Sequence, residues 1–106
     1  MLTDLDLNQR NATRGDTVIL PCESMQSSGV KWMRNTSRGY GDVDLATSTP
    51  SRFTVTSPHR GQFDLEIYNL YRADTGEYDC YSNNGALLIR YYLLVKSTFV
   101  ILQKGN

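Results

Sequence analysis

The run Asp74-Thr75-Gly76-Glu77-Tyr78-Asp79-Cys80 decides how the rest of the chain is read. From Glu77 to Ser82, Tyr78 and Cys80 alternate with charged neighbours, the period-two pattern of a strand with one buried face. Asn83-Asn84-Gly85 follows, and Asn and Gly both tolerate the positive φ of a tight hairpin. Beyond it, Tyr91, Leu93 and Val95 should face inward on a last strand, with Tyr92 and Leu94 outward. Upstream, Phe63, Leu65 and Ile67 alternate with Asp64 and Glu66, and the acids read as the solvated half of the pattern.

The same alternation continues toward the start, broken about every 8 to 12 residues by Gly, Pro, Asn and Ser. Leu5 and Leu7 suggest a first strand, and Thr17 to Cys22 a second with Val18, Leu20 and Cys22 on one face. Val30, Trp32 and Arg34 share a face of a third. A glycine-rich turn is expected at Arg38-Gly39-Tyr40-Gly41, then a short strand near Val43 to Ala46, and Pro50-Ser51 breaks the chain before Arg52-Phe53-Thr54-Val55. Helical periodicity is absent. Eight short strands make the chain all-β and favour a two-sheet antiparallel sandwich over a small barrel. With 106 residues there is material for one domain, assigned to 1–96, leaving 97–106 as the end of the last strand or a linker toward a following domain or membrane anchor.

Cys22 and Cys80 fall on two of these strands. Zinc would need more ligands close by, and the single histidine, His59, sits in a loop. The remaining chemistry is a disulfide or two inert buried thiols. A disulfide closing so long a loop would contribute about 4 kcal/mol by the chain-entropy argument. Trp32, ten residues after Cys22, should point into the same core, where an indole packs against the sulfurs. That convergence favours the bond.

At this point the chain resembles the immunoglobulin superfamily over nearly its whole length. The matching residues are Leu20-Pro21-Cys22, Lys31-Trp32, Arg52-Phe53, Leu65-Glu66-Ile67 with Leu70, and the opening run Asp74 to Cys80. The resemblance implies an immunoglobulin-like sandwich with one inter-sheet disulfide. It gives Tyr78 the place of the tyrosine-corner residue, whose hydroxyl bonds back to backbone. It gives Gly76 a backbone geometry that a side chain would hinder, and pairs Asp74 with Arg52. The short stretch from Trp32 to Arg52, and a last strand without the Phe-Gly-x-Gly bulge of antigen-receptor joining segments, look like an intermediate-type or short variable-type domain of an adhesion or receptor protein.

Several function classes lack support. Eleven Lys and Arg balance eleven Asp and Glu, so there is no basic footprint for nucleic acid or an anionic membrane. His59 in its Pro-His-Arg-Gly turn reads as a solvated loop residue rather than part of a hydrolase triad. No glycine-rich loop precedes a helix, so nucleotide binding is unsupported. Asp42, Asp44 and the Asp4/Asp6 pair could offer oxygen ligands to calcium, but scattered acids on strands read first as outward residues. The expectation is no enzyme activity, no cofactor and no bound metal. The opening residues lack the basic and apolar regions of a signal peptide, and Met1 reads as a cloning start; the chain is expected to be an ectodomain piece of a cell-surface or secreted protein.

Two sequons, Asn11-Ala12-Thr13 and Asn35-Thr36-Ser37, are candidate N-glycan acceptors, and both are expected at turns. The candidate partner-binding residues are Lys31, Met33, Tyr81, Asn83, Tyr92 and Leu94, exposed aromatics and apolars mixed with charge as protein interfaces are. In relatives of this fold the corresponding face is the usual contact site. The resemblance therefore points to recognition of another protein, either a same or related immunoglobulin-like domain or a different cell-surface protein, with a weak homodimer among the expected forms. A spacer domain in a longer ectodomain is the alternative, and would show a uniformly polar face there. An immune-receptor variable-like domain that pairs with a partner chain is the third reading.

Overall fold

The computed structural model describes residues 8–25, 29–43 and 52–97. Eight strands run in order: β1 (Gln9–Thr13), β2 (Val18–Leu20), β3 (Val30–Thr36), β4 (Gly39–Asp42), β5 (Phe53–Thr56), β6 (Asp64–Ile67), β7 (Gly76–Ser82) and β8 (Leu87–Lys96). A short 3-10 turn, Arg72–Asp74, precedes β7. The strands form one sheet of order β1-β8-β7-β3-β4 and a second of order β2-β6-β5. Their inner faces close on a core in which Leu20, Leu65, Ile67, Leu70, Tyr78, Cys80 and Leu93 are fully buried.

Cys22, just after β2, and Cys80 on β7 are disulfide-bonded across the two sheets, with Cα atoms 6.6 Å apart. Trp32 is buried in the same core, and its indole N–H donates to the Phe63 carbonyl at 3.2 Å. An indole that would otherwise carry an unsatisfied donor into the core is thereby paired. Tyr91 lies beside it, ring centroids 6.3 Å apart, and its hydroxyl donates to the Pro21 carbonyl, tying β8 to the opposite sheet. Tyr91, Leu93 and Val95 all face inward on β8.

Four expectations are either changed or fall outside the described residues. Leu5 and Leu7 lie outside the described residues; the first described strand is β1, which pairs in parallel with β8 from Gln9↔Tyr92 to Thr13↔Lys96. Its sequence is mostly polar because an edge strand needs only Ala12 against the core. The glycine-rich segment expected as a turn is strand β4, and the turn is the two residues Ser37-Arg38, closed by Thr36↔Gly39. Cross-strand pairing with β3 outweighs the poor strand propensity of glycine there. Val43, assigned to a later strand, is buried and donates its N–H to the Trp32 carbonyl at 3.1 Å, while 44–46 lie outside the described residues.

The third change concerns acids. Asp64 and Asp79 are buried, not solvated. Asp64 accepts the Cys22 N–H at 3.3 Å, and Asp79 lies beneath Arg90. The fourth concerns the sequons: Asn11 lies in β1 and Asn35 in β3, both exposed on strands rather than at turns. β8 ends at Lys96; of residues 97–106, assigned to its end or a linker, Ser97 lies beyond the strand and 98–106 lie outside the described residues.

Candidate recognition face

The side of the five-stranded sheet turned away from the core can be assembled row by row from the strand register. Trp32, Cys80 and Tyr91 point inward, so their sequence neighbours point out. Nearest the β7–β8 hairpin stands the row Lys31–Tyr81–Leu87. Next come Met33–Asp79–Arg90, with Asp42 on the β4 side. The third row is Tyr40–Asn35–Glu77–Tyr92–Gln9, and beyond it Leu94 stands opposite Asn11.

A register shift between Cys80 and Tyr81 sets the first row. It brings Leu87, 45% exposed, opposite Tyr81 and leaves Leu88 as the extra residue. Lys31, Met33, Tyr40, Tyr81, Asn83 and Gly85 surround a shallow hollow of about 370 Å³ at this end. Four of the six candidate partner-binding residues therefore meet at the hairpin end. Tyr92 and Leu94 stand apart, toward β1.

Charge concentrates in the middle rows. The Arg90 guanidinium grips Asp79 with two bonds, Nε to Oδ1 at 2.9 Å and Nη2 to Oδ2 at 3.1 Å, and its Nε lies 3.1 Å from Glu77. The bond to Asp79 pushes Arg90 upward from its ordinary range, and the Asp79 and Glu77 charges add to it. Glu77 is also raised, first by partial burial and then by the Asp79 carboxylate beside it, with Arg90 pulling part of the way back. At the edge, Lys31 and Asp42 form an exposed pair at 3.5 Å, which sequence alternation alone did not reveal.

The structural residues of the motif gather at one end of the sandwich. Arg52 holds Asp74 by Nη1–Oδ2 at 2.9 Å and Nη2–Oδ1 at 3.1 Å, and Asp74 is fully buried. Tyr71 N–H donates to the same carboxylate at 2.8 Å, and the Arg52 guanidinium lies 4.2 Å from the Tyr71 ring centre. Tyr78 donates its hydroxyl to the Asp74 backbone carbonyl at 2.6 Å. Burial first, then the Asp74 charge, raises the Tyr78 phenol well above its ordinary value. A Cβ on Gly76 (φ 151°) would sit 2.5 Å from the Asn35 carbonyl oxygen, so this close approach of β7 to β3 requires glycine.

Tyr40, 67% exposed, and Leu87 are members of the face that sequence reasoning missed. Tyr40 follows from alternation once β4 is placed as a strand; Leu87 depends on the bulge, which no local pattern announces. Among the described residues no cluster of three His, Cys, Asp or Glu side chains could hold a metal ion. Asp4, Asp6 and Asp44 lie outside the described residues, and Asp42 is engaged with Lys31. His59 sits in the turn before β6, where its carbonyl accepts the Gln62 N–H.

The family profile of the immunoglobulin V-set domain matches residues 8–89. The chain belongs to the immunoglobulin V-set family. No curated protein matches its sequence. Among solved structures, it is similar to the first immunoglobulin domain of the mouse polymeric immunoglobulin receptor, with a TM-score of 0.69 and 22% identity over 86% of this chain and 91% of that one. It is also similar to the extracellular domain of the voltage-gated sodium channel beta4 subunit, whose parallel homodimer structures are described as explaining a role in cell–cell adhesion (TM-score 0.61, 22% identity, 85% of each chain). An extracellular fragment of a novel immune-type receptor is a third (TM-score 0.62, 20% identity, 87% of this chain and 98% of that one). At these identities the likeness shows the immunoglobulin fold alone. Among the described residues no helix is long and apolar enough to cross a membrane.

Proposed function

We propose that this V-set domain is an extracellular recognition module of a cell-surface or secreted protein, and that it binds a second copy of itself, or a closely related domain, through the outer face of its five-stranded sheet. The observation that carries the reading is the composition of that face. Met33, Tyr81, Leu87, Tyr92 and Leu94 all point away from the core on adjacent strands. A spacer would have no use for so many outward apolar and aromatic side chains, which is the mixture that interfaces favour. The opposite outer face is built differently. There the row Ile19–Glu66–Thr54 is polar apart from Ile19.

The neutral net charge leaves little long-range repulsion between copies. A two-fold pairing would use each side chain twice, so single substitutions act doubly. Light scattering on size-exclusion fractions over a concentration series tests this. Wild-type protein should move toward a dimer mass as concentration rises. Tyr81→Arg should weaken that association by roughly 2 kcal/mol, about thirtyfold, with an unchanged melting temperature. Wild-type protein that stays monomeric throughout the series would overturn self-recognition.

A further inference from the structure

Both sequons of the chain lie on the same surface. Asn11 and Asn35 are exposed, and each has an inward-facing neighbour: Ala12 packs against the core beside one, and the Arg34 guanidinium covers the Phe53 ring beside the other. Asn35 stands between Tyr40 and Glu77 in the third row, and Asn11 stands opposite Leu94. Three strand spacings separate them, about 14 Å across the sheet. Both therefore occupy the end of the face remote from the hairpin, with Tyr92 and Leu94 between or beside them. In the Asn35 row, Tyr40 is 67% exposed and Tyr92 37%.

We propose that Asn11 and Asn35 both carry N-linked glycans, and that these two sugars close the far end of the outer face and leave only the hairpin end open to a protein. An N-glycan is bulky and solvated, and it needs an acceptor whose side chain points into water with room around it. Both asparagines meet that condition, and neither side chain is committed to the core. Sugars growing from them would spread over Tyr92 and Leu94, whereas the row Lys31–Tyr81–Leu87 lies four residues further along β3. That is about 13 Å from Asn35 at strand rise. The confinement of contact rests on the reading of this face as a recognition surface; the modification itself does not.

The test uses the whole chain secreted from a glycosylating eukaryotic host. Peptide mass spectrometry, after enzymatic glycan release in heavy-oxygen water, marks each formerly occupied asparagine as an isotopically labelled aspartate. Label at both Asn11 and Asn35 is expected; an unlabelled Asn at either site overturns the pair. Shielding is read separately, without any partner, by nitrating tyrosines before and after enzymatic deglycosylation under native conditions. Release of the sugars should raise nitration of Tyr92 and leave Tyr81 unchanged, with Tyr68, just after β6, as an internal reference. An equal rise at Tyr81, or no rise at Tyr92, overturns the division of the face. Because neither measurement involves association, its failure is distinct from a monomeric result in light scattering.

Discussion

Two arginine–aspartate pairs in this domain have almost the same geometry and very different positions. Arg52 grips Asp74, and Arg90 grips Asp79, each through two bonds of 2.9 and 3.1 Å. Arg52 precedes β5 in the three-stranded sheet and Asp74 precedes β7 in the five-stranded one, so the first pair clamps one sheet to the other. It is also enclosed: the Arg52 side chain is 16% exposed and the Asp74 side chain 0%. Arg52 donates further to the carbonyls of Tyr68 and Asn69. The second pair joins β8 to β7, neighbours already held by backbone bonds, and its arginine is 41% exposed. Identical bond lengths thus do different work. The inner pair holds the fold together, while the outer one shapes the surface that a partner would meet.

The sharpest way to break the comparison is to neutralise each aspartate in turn. Asp74→Asn should cost about 3 to 5 kcal/mol, because it strands a largely buried guanidinium whose other partners are carbonyls and aromatic rings, none of them an anion. Asp79→Asn should cost less, about 1 to 2 kcal/mol, since Arg90 keeps Glu77 and reaches solvent. Chemical denaturation of both variants, with Arg52→Ala and Arg90→Ala completing two double-mutant cycles, gives the two coupling energies directly. Equal couplings would show that enclosure does not separate the pairs.

These pairs also show what the sequence carries. Asp74 was legible within the run from Asp74 to Cys80, and its pairing with the distant Arg52 was implied by the resemblance to the immunoglobulin superfamily. Alternation placed Asp79 on the outer side of β7 but could not show that Arg90, from another strand, lies over it and removes it from water. Residue type alone hid β4 as well. Gly39-Tyr40-Gly41 has the composition of a turn, and only its ladder with β3 makes it a strand and turns Tyr40 outward. What was missed depends on pairing between strands, and what was found depends on local pattern or, for the Arg52–Asp74 pair, on the family resemblance.

The inner cluster can be probed at alkaline pH. Burial and the Asp74 charge raise the Tyr78 phenol in the folded state, whereas an unfolded tyrosine ionises near about 10. Above that pH the unfolded chain has released a proton that the folded one retains. Stability is therefore complete below about pH 10 and falls as pH rises further. Tyr91, raised mainly by burial, adds a slope of the same sign. Tyr78→Phe should cost about 1 kcal/mol at neutral pH through the lost bond to the Asp74 carbonyl, and should flatten part of the alkaline decline. Thermal melts of both proteins from neutral pH upward measure the two effects. A slope unaltered by the substitution would take Tyr78 out of the account.

The smallest expected effect lies at the outer pair. Glu77 shares Arg90 with Asp79, and burial together with that neighbouring carboxylate raises its pKa in the folded state. The folded chain then holds a proton on Glu77 at pH values where the unfolded chain, near about 4.3, has lost it. Stability contributed by this group is present at acid pH and lost as pH rises through the raised value, leaving a small constant penalty at neutrality. Glu77→Gln removes the charge responsible. At neutral pH the variant should match wild type or exceed it by about 0.5 kcal/mol at most, as for other partly exposed substitutions. The difference should vanish below the unfolded carboxylate range. Denaturation midpoints at several pH values across the acid range check this, and the sign is decisive: a variant clearly less stable than wild type at neutral pH would mean that Glu77 contributes more to Arg90 than it loses to Asp79. The outer network would then be a three-membered clamp, closer in kind to the Arg52–Asp74 pair.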